Sequence, residues 1–230
     1  MRVAHVITRL IVGGAQENTA STVLGLHEKP GVNVRLYCGP TTGPEGSLEP
    51  LVQKIDGLFH RVPNLIRPVR PLSDWLAYRQ LKRAFASFRP DIVHTHSGKA
   101  GFIGRLAAKR AGVPKIIHSI HGPSFGPFQG WATNALFRGA ERFAGRMTDH
   151  FVTVADAMRD QYLAAGISQA DDYTRNMLTK LNVQYVVIDG RMVVVGDPAF
   201  ELANIFNRET RRSMRDGCIN PTEEDSLPID

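Results

Sequence analysis

The opening of the chain, MRVAHVITRLIVGGAQENTASTVLGL (Met1–Leu26), constrains the fold more than any other stretch. An apolar run from Val3 to Ile7 leads into a polar turn and the pair Gly13-Gly14. A segment of helical spacing then begins at Ala15. Strand, glycine loop and helix in that order gather backbone N–H groups at a helix N-terminus, where they lack partners and the helix dipole is positive. Such a place suits an anion, above all a phosphate. Glycine there keeps side chains out of the approach and takes up φ > 0 where the turn demands it. The G-x-G-x-x-G fingerprint is absent, and a tight strand–helix turn without a ligand fits the same residues.

The same alternation continues along the first two thirds. Val32–Cys38, Leu58–Val62, Asp91–Thr95, Lys115–Ile120 and His150–Val154 read as strands. Helical periods lie between them. One starts at Ser47. A second is capped by Ser73 and runs to Phe88, with Trp75, Leu76, Leu81, Phe85 and Phe88 near one side. Gly98–Ala111 follows, then Thr133–Met147 with Leu136, Phe137, Ala140, Phe143 and Ala144 on one face, then Ala155–Ala165. Strands alternating with helices predict an α/β fold: a Rossmann-like parallel sheet with helices on both faces. Two loops rich in Gly and Pro, Thr41–Gly46 and Gly122–Gly130, interrupt the pattern.

Composition bounds the reading. With 230 residues and 43% hydrophobic content the chain can fill a sizeable core. Its apolar runs fall short of the roughly 18 residues that span a bilayer. Arg9 and the glycines interrupt the start, so no long signal-peptide core is present. Cys38 and Cys218 form no metal or redox pair, which predicts a cytoplasmic protein with reduced thiols. The net charge of +6 is uneven: residues 1–165 hold 21 Lys/Arg against 11 Asp/Glu, and residues 166–230 hold 7 against 11. This sign change sets the expected boundary, with a domain over 1–166, an appendage over 167–219 and a disordered acidic tail over 220–230. In the appendage Gln184–Ile188 and Arg191–Val195 flank Asp189-Gly190, a type I′ hairpin signal, and a helix is expected from Ala199 to Met214. The basic residues Arg79, Lys82, Arg83, Arg89, Arg105, Lys109 and Arg110 read as solvated helix faces or as a peripheral contact with an anionic membrane. No nucleic-acid motif accompanies them, so nucleic acid is not an expected partner.

Ligands of open parallel sheets sit beyond the carboxyl ends of the strands. His94 and His96 end one predicted strand, and His118 and His121 end or follow another. A zinc site would need three or four ligands, and no cysteine or carboxylate flanks these histidines at ligand spacing, so no metal is expected. His94 and His118 sit inside apolar runs and are expected in the core. His96 and His121 are expected to face a cleft, where a neutral imidazole can donate or accept near pH 7.

Four segments in order, GGAQ, PDIVHTHSGKAG, GVPKIIHSIHGPSFG and DHFVTVADAM, resemble the N-terminal domain of family 4 glycosyltransferases over Met1–Ile167. The resemblance implies the GT-B fold, two Rossmann-like lobes facing a cleft, of which this is the acceptor-side lobe. It implies a retaining, nucleotide-sugar-dependent transfer in surface polysaccharide or glycoconjugate assembly. The glycine loop (Gly13, Gly14, Ala15, with Gln16) would approach the donor diphosphate, and His121 would lie by the transferred sugar. Ser119 stands where threonine is common. His96, Ser97 and Lys99 would line the cleft wall. No cofactor is implied beyond the nucleotide sugar, a substrate. The partners implied are a sugar or lipid-linked glycan acceptor and a separate donor-domain polypeptide, because residues 167–230 do not read as the donor lobe. Glu201 and Glu209 have the E-x7-E spacing of the family's donor site, but ELANIFNRE lacks the small residues of that loop, so the match reads as coincidence. VVIDGRMVVVG faintly resembles a phospholipase D half-motif, with Asn182 and Gln184 replacing its His and Lys. The alternatives to a transferase lobe are a non-catalytic acceptor- or partner-binding protein and a degenerate gene product.

Overall fold

The computed structural model describes residues 1–169, 172–175, 185–188 and 191–194. The expected helix over 199–214, the acidic tail, Glu201, Glu209, Cys218, Asn182 and Gln184 lie outside the described residues. Six strands and six helices follow in turn: β1 (Arg2–Ile7), α1 (Gly14–His27), β2 (Asn33–Cys38), α2 (Glu49–Gln53), β3 (Phe59–Arg61), α3 (Pro71–Phe88), β4 (Ile92–His96), α4 (Gly98–Arg110), β5 (Lys115–Ile120), α5 (Trp131–Gly145), β6 (His150–Thr153) and α6 (Asp156–Ala164). A seventh strand, β7 (Tyr173–Arg175), completes one sheet in the order β3-β2-β1-β4-β5-β6-β7, with every neighbouring pair parallel. The sheet thus takes a strand from beyond residue 166. Strands β8 (Tyr185–Ile188) and β9 (Arg191–Val194) pair antiparallel, as the Asp189-Gly190 signal predicts.

Strand period decides which residues face which layer. The odd-numbered residues of β1, Val3 and Ile7, pack with Ala20, Val23 and Leu26 of α1 and Val52 of α2. The even-numbered Ala4 and Val6 pack with Leu81 and Phe85 of α3 and Ile103 and Ala107 of α4. Helices therefore cover both faces, and the Rossmann-like α/β architecture is the observed one. α4 reaches its face closely because two of its residues have no side chain: a Cβ at Gly101 would run into the His118 ring, and one at Gly104 into Thr95.

The structure revises several sequence expectations. α3 starts at Pro71, with Asp74 Oδ2 accepting the Arg70 amide N–H at 3.1 Å, so Ser73 is inside the helix and is not its cap. Proline at the first position fits there because its missing N–H would have no helical partner. The core face of α3 is Ala77, Leu81, Phe85 and Phe88, while Trp75 and Leu76 point outward. On α5 the buried residues are Glu141, Ala144 and Gly145, while Leu136 and Phe143 are exposed. Arg105, expected on a solvated face, is completely buried. Its Nη2 lies 2.7 Å from Glu141 Oε2, its Nε donates to the Gly101 carbonyl, and its Nη1 donates to Thr148 Oγ1. Ser124 Oγ also donates to Glu141, which ties the 122–130 loop to this pair.

A buried ion pair adds little relative to an apolar pair of the same size, but removing one partner strands the other charge. Glu141→Ala is therefore expected to lower stability by about 3–5 kcal/mol in urea unfolding. The double change Arg105→Met, Glu141→Leu should recover most of that loss. Equal losses in both variants would contradict a desolvated pair between α4 and α5.

Candidate functional site

The carboxyl ends of the adjacent strands β1, β4 and β5 bring three chain segments side by side. Register fixes their neighbours: His5 is opposite His94, Thr95 opposite His118, and His96 opposite Ser119. The Ala100 amide N–H donates to Thr8 Oγ1 at 3.2 Å, joining the loop after β1 to the first turn of α4.

The first segment is the glycine loop. Gly13 precedes α1 with φ 166°, extended backbone that any residue adopts, and Gly14 is not among the positive-φ glycines. The glycines are thus not required by turn geometry. Their effect is on access: Gly14 is exposed, and a Cβ on it would meet nothing within 4 Å. The amides of Gln16 and Glu17 donate to the Gly13 carbonyl at 3.0 and 2.9 Å. Those of Gly14 and Ala15, the two residues before them, find no acceptor among the described residues. They are the orphan donors of the helix start. Gln16 folds back, with its side-chain oxygen 3.1 Å from where a Cβ of Gly13 would stand. The loop is braced from outside, where Thr41 Oγ1 accepts the Leu10 amide and the Leu48 amide donates to the Leu10 carbonyl.

The second segment ends β4. His96 is completely buried, and Lys99 is tied to the Asp74 carboxylate and the Pro68 carbonyl. Strand period puts His96 on the same face as His94, where it is buried and not exposed on a cleft wall as expected, while Lys99 stays partly exposed at the first turn of α4, paired with an acid on α3. Ser97 is partly buried at φ 64°, ψ 167°, a region costing about 1–3 kcal/mol for a residue with a side chain. That conformation turns the chain from β4 directly into α4.

The third segment follows β5. His121 is partly exposed, and its Nε2 lies 3.2 Å from His96 Nδ1. His96 Nε2 in turn lies 3.0 Å from Nδ1 of His5, which is itself fully buried. His94 Nε2 lies 2.7 Å from Ser119 Oγ. The result is a row of imidazoles on one sheet face running from the core to the site edge. His118 is on the opposite face, with Nδ1 2.9 Å from Thr95 Oγ1. His94 and His118 are thus core residues, as expected. His5 was missed, because its place in the row depends on register rather than on its own apolar surroundings.

Burial keeps these rings neutral. His5 is pushed down to about 3 and His121 to about 4 by desolvation. His94 and His96 are held well below the usual histidine range by burial first and by neighbouring imidazoles second, and His118 by burial and then by Arg105. Ring nitrogens of His5, His94 and His96 lie within 4.8 Å of one another, so these three are the residues that could hold a metal. They fit it poorly. Both nitrogens of His96 are already within hydrogen-bond distance of other imidazoles, and three neutral ligands leave a buried dication uncompensated. A hollow of about 390 Å³ bordered by Arg2, Arg89, Asp91 and Pro114 lies at the other edge of the sheet, where the strands begin.

A histidine whose folded pKa is depressed costs no stability above its ordinary value of 6.5. Below that pH the unfolded chain takes up a proton that the folded chain refuses, so stability falls until the folded pKa is reached. Each fully buried ring should remove roughly 2 kcal/mol between pH 6.5 and pH 5. Urea unfolding at the two pH values should show this loss, and His96→Gln should make the pH dependence shallower by one ring's share. A pH dependence unchanged by His96→Gln would contradict the buried neutral row.

The comparisons bear on the family and the fold. A family model described as "Glycosyl transferase 4-like domain" matches residues 13–174. A relative from Escherichia coli, named UDP-Gal:alpha-D-GlcNAc-diphosphoundecaprenol alpha-1,3-galactosyltransferase, is 28% identical over 155 residues, covering 66% of this chain and 38% of the relative. The chain therefore spans less than half the length of that curated relative. Among solved structures, a UDP-GlcNAc 2-epimerase from Neisseria meningitidis bound to UDP-GlcNAc superposes with a TM-score of 0.61 at 16% identity, over 94% of this chain and 53% of that one. The lipopolysaccharide outer core galactosyltransferase WaaB superposes with a TM-score of 0.54 at 15% identity, over 76% and 44%. At these identities the structures speak for the fold alone, that of GT-B transferases and epimerases. With more than half of its length matched by the family model, the chain belongs to the glycosyl transferase 4-like family.

Proposed function

We propose that residues 1–175 form the acceptor-side lobe of a retaining, nucleotide-sugar-dependent glycosyltransferase that builds a surface polysaccharide or glycoconjugate. The observation that carries the reading is the open start of α1: an exposed Gly14 and two acceptorless amides, on the strand edge that also presents His121. Orphan N–H groups at a helix start stabilise the negative charge that develops on a leaving diphosphate. His121, neutral at physiological pH, donates or accepts one hydrogen bond to orient the transferred sugar. The acceptor hydroxyl attacks on the face the leaving group vacates. The E. coli relative is named for a diphosphoundecaprenol-linked acceptor, and we extend that class, a lipid-linked glycan, to this chain. A lipid-linked acceptor places the working lobe beside a membrane. Among the described residues no helix is long and apolar enough to cross one.

Transfer also needs a donor-binding lobe to grip the nucleotide opposite residues 1–175. Residues 1–175 alone, as one lobe, are expected to turn over no nucleotide sugar. Joined to the donor lobe of the E. coli relative, or mixed with it, the chain should transfer sugar to a lipid-linked acceptor. His121→Ala should lower that rate about 100-fold or more. Gly14→Val should abolish it while leaving the fold unchanged, because the added side chain enters open space. Turnover by residues 1–175 alone, or by the joined form with His121→Ala at the unmodified rate, would contradict the proposal. Acceptor binding with no turnover in the joined form would favour a binding protein.

A further inference from the structure

Two helix ends on the carboxyl edge carry large apolar side chains that the fold leaves in water. At the start of α3, Val69, Leu72 and Trp75 are 68%, 70% and 49% exposed. At the start of α5, Phe128, Trp131 and Leu136 are 66%, 85% and 68% exposed. Single exposed apolar residues are ordinary, but two groups of this size at one rim are not. The first turn of α4 stands between them. Lys99 holds Asp74 and the Pro68 carbonyl on the α3 side, and Gly98 abuts Ser124 in the loop leading to α5. With packed helix axes about 8–10 Å apart, the two groups are roughly 16–20 Å apart.

The charge around them has one sign. Residues 62–148 hold fourteen Lys/Arg and three Asp/Glu. None of the three acids is free at the rim. Asp74 is paired with Lys99, Glu141 is buried against Arg105, and Asp91 accepts the Arg2 amide at the opposite edge. Arg67, Arg70, Arg79 and Arg138 are exposed beside the apolar groups, and the Arg79 guanidinium lies 4.6 Å from the Trp75 ring centroid.

We infer that this rim is a docking surface for an anionic lipid bilayer. Trp75 and Trp131 enter the boundary between headgroups and acyl chains, and the arginines meet lipid phosphates. Tryptophan beside basic residues is the pairing such a boundary selects, since the ring is apolar with one polar edge while the cations are drawn to the surface potential. A protein partner would have to bring acids to match the four exposed arginines Arg67, Arg70, Arg79 and Arg138; a phosphate-rich surface brings them already. The inference rests on the proposed transfer reaction only for its purpose, which is to press the site edge against the leaflet that holds a lipid-linked acceptor.

The chain has two tryptophans, and both are on this rim, so intrinsic fluorescence reports docking directly. Vesicles of phosphatidylglycerol and phosphatidylcholine are expected to shift the emission to the blue and pull the chain down on sedimentation. Pure phosphatidylcholine vesicles should do so weakly, and added salt should weaken both effects. Leu72→Ser with Trp131→Ser should lower partitioning more than tenfold. Arg67→Glu with Arg70→Glu should weaken it by about fivefold or more for each positive charge removed. No sugar donor is present, so a failed transfer assay leaves this outcome intact. Unchanged emission with anionic vesicles overturns the inference. So does a shift that follows protein concentration without lipid, which would mark contact between copies of the chain.

Discussion

The parallel pairing of β1, β4 and β5 is the constraint on which the site depends. Because His5, His94 and Ile117 share one level of the sheet, the chain leaves it at nearly one level, three times in adjacent strands. The exits are the glycine loop, the strained Ser97 turn and the His121 segment. A slip of one residue in β4 would turn His94 and His96 toward α4 and break their contacts with Ser119 and His121. Register is therefore a condition for the site as well as for the core.

Two polar networks lie on the two faces of the sheet, and they differ in kind. On one face the imidazole row avoids a charge cost by remaining neutral, because burial and crowding make protonation unfavourable. On the other, the Arg105 guanidinium is paired with the Glu141 carboxylate inside the protein, with Gly101, Thr148 and Ser124 filling remaining hydrogen-bond positions. Both reach the site edge, one ending at His121 and the other at Ser124. The segment between them is thereby anchored on both faces of the sheet.

Strand–helix alternation was readable in the sequence because apolar runs and turn residues are local signals. Gly112 and Gly166 close α4 and α6 at φ 73° and 65°, as their positions after helical periods predict. Residues that depend on distant neighbours were not readable in this way. Arg105 looks like any basic residue on a helix until Glu141, 36 positions on, is brought against it. His5 reads as an interruption of an apolar strand until register places it against His94. His96 was assigned to the cleft by its place at the strand end, but side-chain direction follows strand period. Periodicity places Trp75 and Leu136 on the apolar sides of their helices, without showing whether a neighbour covers those sides, and none does. In the Gly13-Gly14 loop the residues alone show two glycines before a helix, and only the structure shows that Gly14 leaves an open approach without an unusual backbone angle.

The central claim is that the start of α1 is an open seat for a diphosphate on the same edge as His121. Amide NMR of the chain titrated with uridine diphosphate tests it most directly, since even weak binding by one lobe moves the resonances it touches. The account predicts the largest shifts at the Gly14 and Ala15 amides, with a smaller response at His121. Shifts confined to the opposite edge, around Asp91 and Pro114, or none at the α1 start under saturating nucleotide, would contradict it.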